Sequence, residues 1–161
     1  MPRRLPAARV LILALVGLAA CGKPYVSPLL PGPYTEQLEA PYDQVWRALV
    51  RVLAQENVQV QAIARDSGVI ASDDFVAPIG VYADCGRLGD DLIEGEALVA
   101  FTLFAEPKGS RTRIQVNAKM RTHMHRKGSS GKLRPEPVYQ CASTGRFEAN
   151  LLDAVRELVK E

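Results

Sequence analysis

Residues 97–124 read ALVAFTLFAEPKGSRTRIQVNAKMRTHM, and this stretch decides the fold. Ala97 to Ala105 reads as one strand, Pro107 to Ser110 as a turn, and Arg111 to Met124 as the partner strand. In the second arm Ile114, Val116, Ala118, Met120, Thr122 and Met124 share one face. Arg113, Gln115, Asn117, Lys119, Arg121 and His123 share the other. Side chains alternate across a strand with a period of two, so the pattern predicts an antiparallel hairpin with one buried and one wet face.

A sheet with one apolar face needs a cover, and two segments offer one. Pro41 suits the first position of a helix, where its missing N–H is no loss, and Asp43 suits the positive end of the helix dipole. Val45, Leu49, Val52 and Leu53 then fall on one apolar face, widened by Trp46 and Val50, and Asn57 is a fitting left-handed stop. Near the other end, Ser143 or Thr144 can cap a helix whose buried stripe is Phe147, Leu151, Val155 and Leu158.

Thr35–Glu39 reads as a short first strand. Val58–Ala64 alternates, Arg65-Asp66-Ser67-Gly68 is turn chemistry, and Val69–Ser72 resumes as a strand. Val81–Cys85 is a further short strand, Gly89–Gly95 a polar loop, and His125–Pro137 a flexible loop rich in Gly, Ser and Lys. The expected order is β-α-β-β-β-β-β-α. The fold class is α+β: one curved antiparallel sheet, with two helices packed on its single apolar face.

The start of the chain gives an address. Arg3, Arg4 and Arg9 precede an apolar and small-residue run from Val10 to Ala20, which has the dimensions of a secretory signal. The run is too short to span a bilayer, which takes roughly 20 apolar residues. Its end, Leu18-Ala19-Ala20-Cys21, resembles the lipobox of bacterial lipoproteins. That resemblance implies cleavage before Cys21, a diacylglycerol on its thiol and a third acyl chain on its new amino group. Two or more chains make anchoring stable where one does not. Gly22 rather than Asp follows, which resembles the enterobacterial sorting pattern for outer-membrane delivery with the domain facing the periplasm.

The expected organisation is a signal peptide over 1–20, a lipid-anchored Pro-rich linker over 21–34 and one α+β domain over 35–161. Pro24, Pro28, Pro31 and Pro33 favour an extended, semi-rigid spacer. Packing of Tyr25, Leu29 and Leu30 back onto the domain is the competing arrangement.

Loss of residues 1–20 leaves 141 residues, enough for one core. The formal charge of +2 belongs to the whole chain; without the three signal arginines, 17 bases face 18 acids. Nucleic acid is excluded as a partner on both charge and address. With Cys21 lipidated, Cys85 and Cys141 form an even pair in an oxidising compartment, where a disulfide is expected. It would close a loop of about 55 residues and contribute about 4 kcal/mol. Two buried free thiols are the alternative.

A helix opening Tyr42-Asp43-Gln44-Val45-Trp46, then Val58-Gln59-Val60 and Asp66-Ser67-Gly68-Val69-Ile70, resembles a recurrent pattern of envelope lipoproteins. It is similar to the helix-grip domains of BamC, the lipoprotein C subunit of the outer-membrane β-barrel assembly machine, and its relatives. The resemblance covers roughly residues 35–75 and, in outline, the last helix. It implies a helix-grip-like fold and an envelope setting. This chain has one such domain where that subunit has two, so membership of the machine is not implied.

No catalytic set emerges. His123 and His125, with Met120 or Met124 near, suggest copper or zinc, but two histidines at a strand end are not a full ligand set. Gly128-Ser129-Ser130-Gly131-Lys132 lacks phosphate-loop spacing and continues with Leu133 where Ser or Thr would hold magnesium. Asp73/Asp74, Asp90/Asp91 and Glu94/Glu96 read as solvated carboxylates, and no Gly-x-Ser-x-Gly element is present. No cofactor or metal is expected.

Residues 107–135 hold nine Lys or Arg and no acid, while 34–96 hold twelve acids and four bases. That contrast reads either as a basic face for anionic headgroups or an acidic partner, or as neighbouring strands of complementary charge. Trp46 and Phe101 either line a ligand cavity or belong to the core. The expected function is a non-enzymatic, membrane-anchored interaction or assembly module. Its partners are the membrane, through the lipid on Cys21, and an envelope protein or anionic envelope component. A helix-grip module for a small lipid or hydrophobic ligand is the alternative.

Overall fold

Two long strands carry the structure. The computed structural model describes residues 23–123 and 137–160. In chain order its elements are β1 (Tyr25–Val26), β2 (Tyr34–Leu38), α1 (Tyr42–Gln55), β3 (Val60–Ala64), β4 (Val69–Ser72), β5 (Phe75–Pro78), β6 (Ala83–Asp84), β7 (Arg87–Leu88), β8 (Asp91–Leu92), β9 (Glu96–Lys108), β10 (Arg111–His123), β11 (Val138–Ser143) and α2 (Arg146–Lys160). The fold is α+β, with a large antiparallel sheet and two helices.

The β9–β10 hairpin runs as expected, but its turn is tighter. Pairing continues through Pro107 and Lys108, leaving Gly109 and Ser110 as a two-residue connection. Gly109 takes φ 67° at the first turn position, a sign that suits a right-twisting hairpin. Along β10 the residues Thr112, Ile114, Val116, Met120 and Thr122 are buried, and their odd-numbered neighbours face out.

The partners of the hairpin are split. β2 pairs with Thr112–Val116 and β11 with Met120–His123, so the two lie end to end along one edge of β10. On β9, β4 pairs with Thr102–Phe104 and β5 with Glu96–Val99. Ser72 sits where β4 gives way to β5, and its buried hydroxyl accepts the Phe101 N–H at 2.9 Å. Thr112 Oγ1 likewise donates to the Ala40 carbonyl at 2.9 Å, where the chain leaves β2. These hydroxyls answer backbone groups that the split would leave unpaired.

Both helices cover the same half of the sheet. Val45, Trp46, Leu49, Val52 and Leu53 of α1 and Leu151, Leu152 and Val155 of α2 share one core with Ile70, Phe101, Leu103, Ile114 and Val116. Gln44 Nε2 ties the helices by donating to the Val159 carbonyl at 2.7 Å. Asn57 has φ 53°, the left-handed stop expected after α1. At the start of α2 the Gly145 N–H donates to Ser143 Oγ, whose hydroxyl donates to buried Glu148 at 2.7 Å. Ser143 therefore orders the turn that leads into α2 and caps no helical N–H among the described residues, while Thr144 donates to the Val81 carbonyl.

Several elements differ from expectation. β11 was not expected, because Val138 and Gln140 are exposed and Pro137 precedes it. β5 was also missed, and Val81–Cys85 contracts to the two residues of β6. The polar loop Gly89–Gly95 contains β8 and buried Ile93. β3 has no buried face: all five residues are exposed, because it is the outer edge of the sheet. A second, three-stranded sheet, ordered β1-β7-β8, adds to the single sheet expected.

Candidate interaction surfaces

Cys85 and Cys141 form a disulfide with an S–S distance of 2.00 Å across a sequence separation of 56. It joins the β6–β7 excursion to β11 at the end of the sheet away from the helices. Tyr25 docks beside it, with its ring centroid 4.5 Å from that of Tyr139 and its hydroxyl 3.3 Å from the Cys85 and Gln140 carbonyls. Tyr25 thus packs back onto the domain, while Leu29 is 96% and Leu30 52% exposed. Cys21, the lipidation candidate, lies outside the described residues.

Buried side chains of both helices pack against those of the sheet. Trp46 and Phe101 are core residues, and Phe101 packs within 6.3 Å of Phe75 and 5.4 Å of Phe147, centroid to centroid. An apolar groove opens instead at the margin of the helices. Val52, Val58, Phe75, Phe147, Leu151 and Ala154 wall a volume of about 310 Å³, with Tyr82 and Asn150 at its polar rim. That is the lower end of the size range of small-molecule sites.

The resemblance motif has a structural job. Tyr42 donates its hydroxyl to the Arg65 carbonyl, and Arg65 pairs with Asp43 at 2.6 Å. Helix start and β3–β4 turn are thereby clamped together. Burial pushes the Tyr42 phenol up, with Arg65 opposing and Asp66 and Asp43 adding. Gly68 must be glycine here, since a Cβ would lie 1.9 Å from the Ala105 carbonyl oxygen.

The described bases of β9 and β10 mostly meet acids. Arg111 pairs with Glu39, Arg121 with Asp74, and Lys108 and Arg113 both approach Glu106 at 3.3 Å. Four of the five described bases on these two strands thus have an acid close by, while Lys119 is exposed. His123 is exposed at the end of β10, and Met120 is buried on the opposite face. Met124, His125 and Gly128–Leu133 lie outside the described residues. Asp73, Asp90, Glu94 and Glu96 are exposed, and no group of three potential metal ligands occurs among the described residues.

Sequence reading missed one surface altogether. Val26 pairs with Arg87, and Arg87 with Leu92, so the three side chains form one cross-strand row on the small sheet. The next row, Tyr25–Leu88–Asp91, faces the other way, with Leu88 buried. Val26 is 54% and Leu92 62% exposed. Lys23 pairs with Asp91, and its hydrogen bond and charge hold that carboxyl below the usual range. The Gly89 N–H donates to the Pro24 carbonyl at 2.8 Å, so the chain is pinned from residue 23 onward. No sequence signal could reveal a row drawn from positions 26, 87 and 92.

No family model matches the chain, and no curated protein matches it either. Among solved structures, it is similar to a TBP-like protein from Parabacteroides distasonis: 11% identity, TM-score 0.46, covering 84% of this chain and 97% of that one. A DUF4468 family protein from Bacteroides ovatus is similar at 12% identity and TM-score 0.35, covering 71% of this chain and 64% of that one.

Proposed function

We propose that this chain is a non-enzymatic lipoprotein, anchored at the outer membrane through Cys21, whose periplasmic domain binds another envelope component. The observation that carries this reading is the lipobox ending at Cys21, followed within two residues by chain already pinned to a disulfide-closed domain. A disulfide between buried cysteines suits an exported protein. The likeness to BamC supports an envelope setting on residues 42–46 and 66–70, which serve here as core and clamp.

Labelled palmitate tests the anchor directly. It should enter the wild-type protein, and Cys21→Ser should move the protein out of the membrane fraction. No incorporation, or unchanged fractionation of the variant, would refute the anchor.

The marginal groove favours a second reading, a module for a small hydrophobic ligand. Native mass spectrometry of residues 22–161 exported to a periplasm separates the two. A mass two protons light with no adduct supports the interaction module. A retained apolar adduct, released by Ala154→Trp in the groove wall, supports the ligand module.

A further inference from the structure

We infer that the outer face of the small sheet is a membrane-contact patch, in which Val26 and Leu92 enter the headgroup–acyl boundary and Arg87 between them holds a lipid phosphate. This rests on the proposed lipid at Cys21. The reach of the chain makes the argument. From Cys21 to Val26 is five residues, a span of at most about 18 Å when fully extended. The chain is fixed from Lys23, so the small sheet is the part of the domain that the anchor holds nearest the bilayer.

The chemistry of the row fits that neighbour. Two largely exposed aliphatic side chains flank a guanidinium, with Val26↔Arg87 and Arg87↔Leu92 in register. Leu29 and Leu30, also exposed, follow β1 on the same segment. Arg87 makes no ion pair among the described residues, so its planar donor fork is available to a phosphate. The acid across the sheet, Asp91, faces the opposite side and is paired with Lys23. Asp90 is exposed and makes no ion pair among the described residues, so the attraction is a local contact of one guanidinium and not a broad positive field. Aliphatic side chains with a basic neighbour suit the interface, where such groups sit about 5–10 Å deep.

The test uses the full lipidated chain in vesicles of phosphatidylethanolamine and phosphatidylglycerol, with acyl chains brominated near the headgroup. The only native tryptophan, Trp46, is buried and provides the background. Leu92→Trp should lose about half or more of its added emission, as expected for an indole at the interfacial depth of such a helix or strand. Thr102→Trp, on the outer face of the large sheet, should lose none, and Arg87→Glu should relieve the quenching of Leu92→Trp. Should Leu92→Trp fail to form the Cys85–Cys141 bond by mass, Val26→Trp reports on the same row. Lipid present on Cys21 with no quenching at either row position would overturn the patch and leave the anchor standing. A blue shift of Leu92→Trp that grows with chain density, without quenching, would assign the row to a second copy and likewise overturn it. Absence of lipid on Cys21 would overturn the anchor and this inference together.

Discussion

The two halves of the large sheet are held by different physics. Where both helices lie, the buried side chains are large: Trp46, Leu49, Leu53, Ile70, Phe101, Leu103, Ile114 and Leu152 share one cluster. At the other end the cluster is Ala77, Ala83, Cys85, Leu88, Ile93, Ala97, Val99, Met120 and Cys141, with strands of two residues around it. Alanine buries little apolar area, and a two-residue strand contributes few ladder bonds. That end relies on a covalent bond and on specific hydrogen bonds, such as Thr122 Oγ1 to the Glu96 carbonyl at 2.8 Å. Phe75, Ala118 and Phe147 border both clusters, so the halves share a seam and not a core.

The sharpest way to break this contrast is to remove material from each half in turn. Phe101→Ala takes a ring from the helix-covered core and should cost about 3–5 kcal/mol, read as a lower urea midpoint. Unfolding should remain a single transition, because both helices and both long strands contribute to the cluster that holds that residue. Replacing Cys85 and Cys141 together by serine should cost about 2–4 kcal/mol, through the loop freed in the unfolded chain. Its local signature should differ. Amide exchange should accelerate across β6, β7 and β11 while Leu103 and Ile114 keep their protection. Equal acceleration in both halves would show that the staple supports the whole domain and would dissolve the contrast.

The same contrast explains what was legible in the sequence. The β9–β10 hairpin, α1 and α2 declare themselves because long amphipathic elements repeat a period many times, and their large apolar residues are the ones buried. The far half has no such repetition. β1, β7 and β8 are too short to show alternation, β5 ends in Pro78, and β11 buries only Cys141 and Ala142. The cysteine pair was the readable trace of that half, since parity and compartment chemistry do not depend on period. β3 shows the reverse error: its alternation is real, yet Val60 and Ile63 stay exposed, because it is the outer strand of the sheet. The Val26–Arg87–Leu92 row was unreadable because topology alone brings those positions together.

Two glycines offer a matched pair of probes. Gly68 and Gly86 have φ 70° and 80°, and an added Cβ would lie 1.9 Å from the Ala105 oxygen and 2.1 Å from the Val26 oxygen, respectively. Alanine at either site meets backbone as well as an unfavourable φ, and each should cost more than about 1 kcal/mol locally. The consequences should diverge. Gly68→Ala presses on β9 inside the helix-covered half and should lower the melting temperature of the domain. Gly86→Ala presses on β1 and should release Tyr25–Val26 while the melting temperature barely moves, seen as protease access before residue 34. If the two variants melt alike, β1 belongs to the cooperative unit and the far half is more tightly integrated than its small core implies.

The smallest effect concerns the clamp between α1 and the β3–β4 turn. The Tyr42 hydroxyl donates to the Arg65 carbonyl, a bond that a phenolate cannot make. Tyr42→Phe should therefore cost about 1 kcal/mol near neutral pH. The phenol pKa is raised in the fold, first by burial, so the folded chain holds this proton more tightly than the unfolded chain. The resulting stabilisation is fully present below the unfolded value of about 10 and is lost as pH rises through the folded value. Subtracting the variant's pH dependence isolates Tyr42. Urea midpoints for the two proteins between pH 8 and pH 11 should start apart and converge as the phenol ionises. A gap that persists undiminished to high pH would mean that the clamp is the ring stacked on Trp46, at a centroid distance of 5.8 Å, and not the hydrogen bond. Even the clamp would then belong to the apolar physics of its own half.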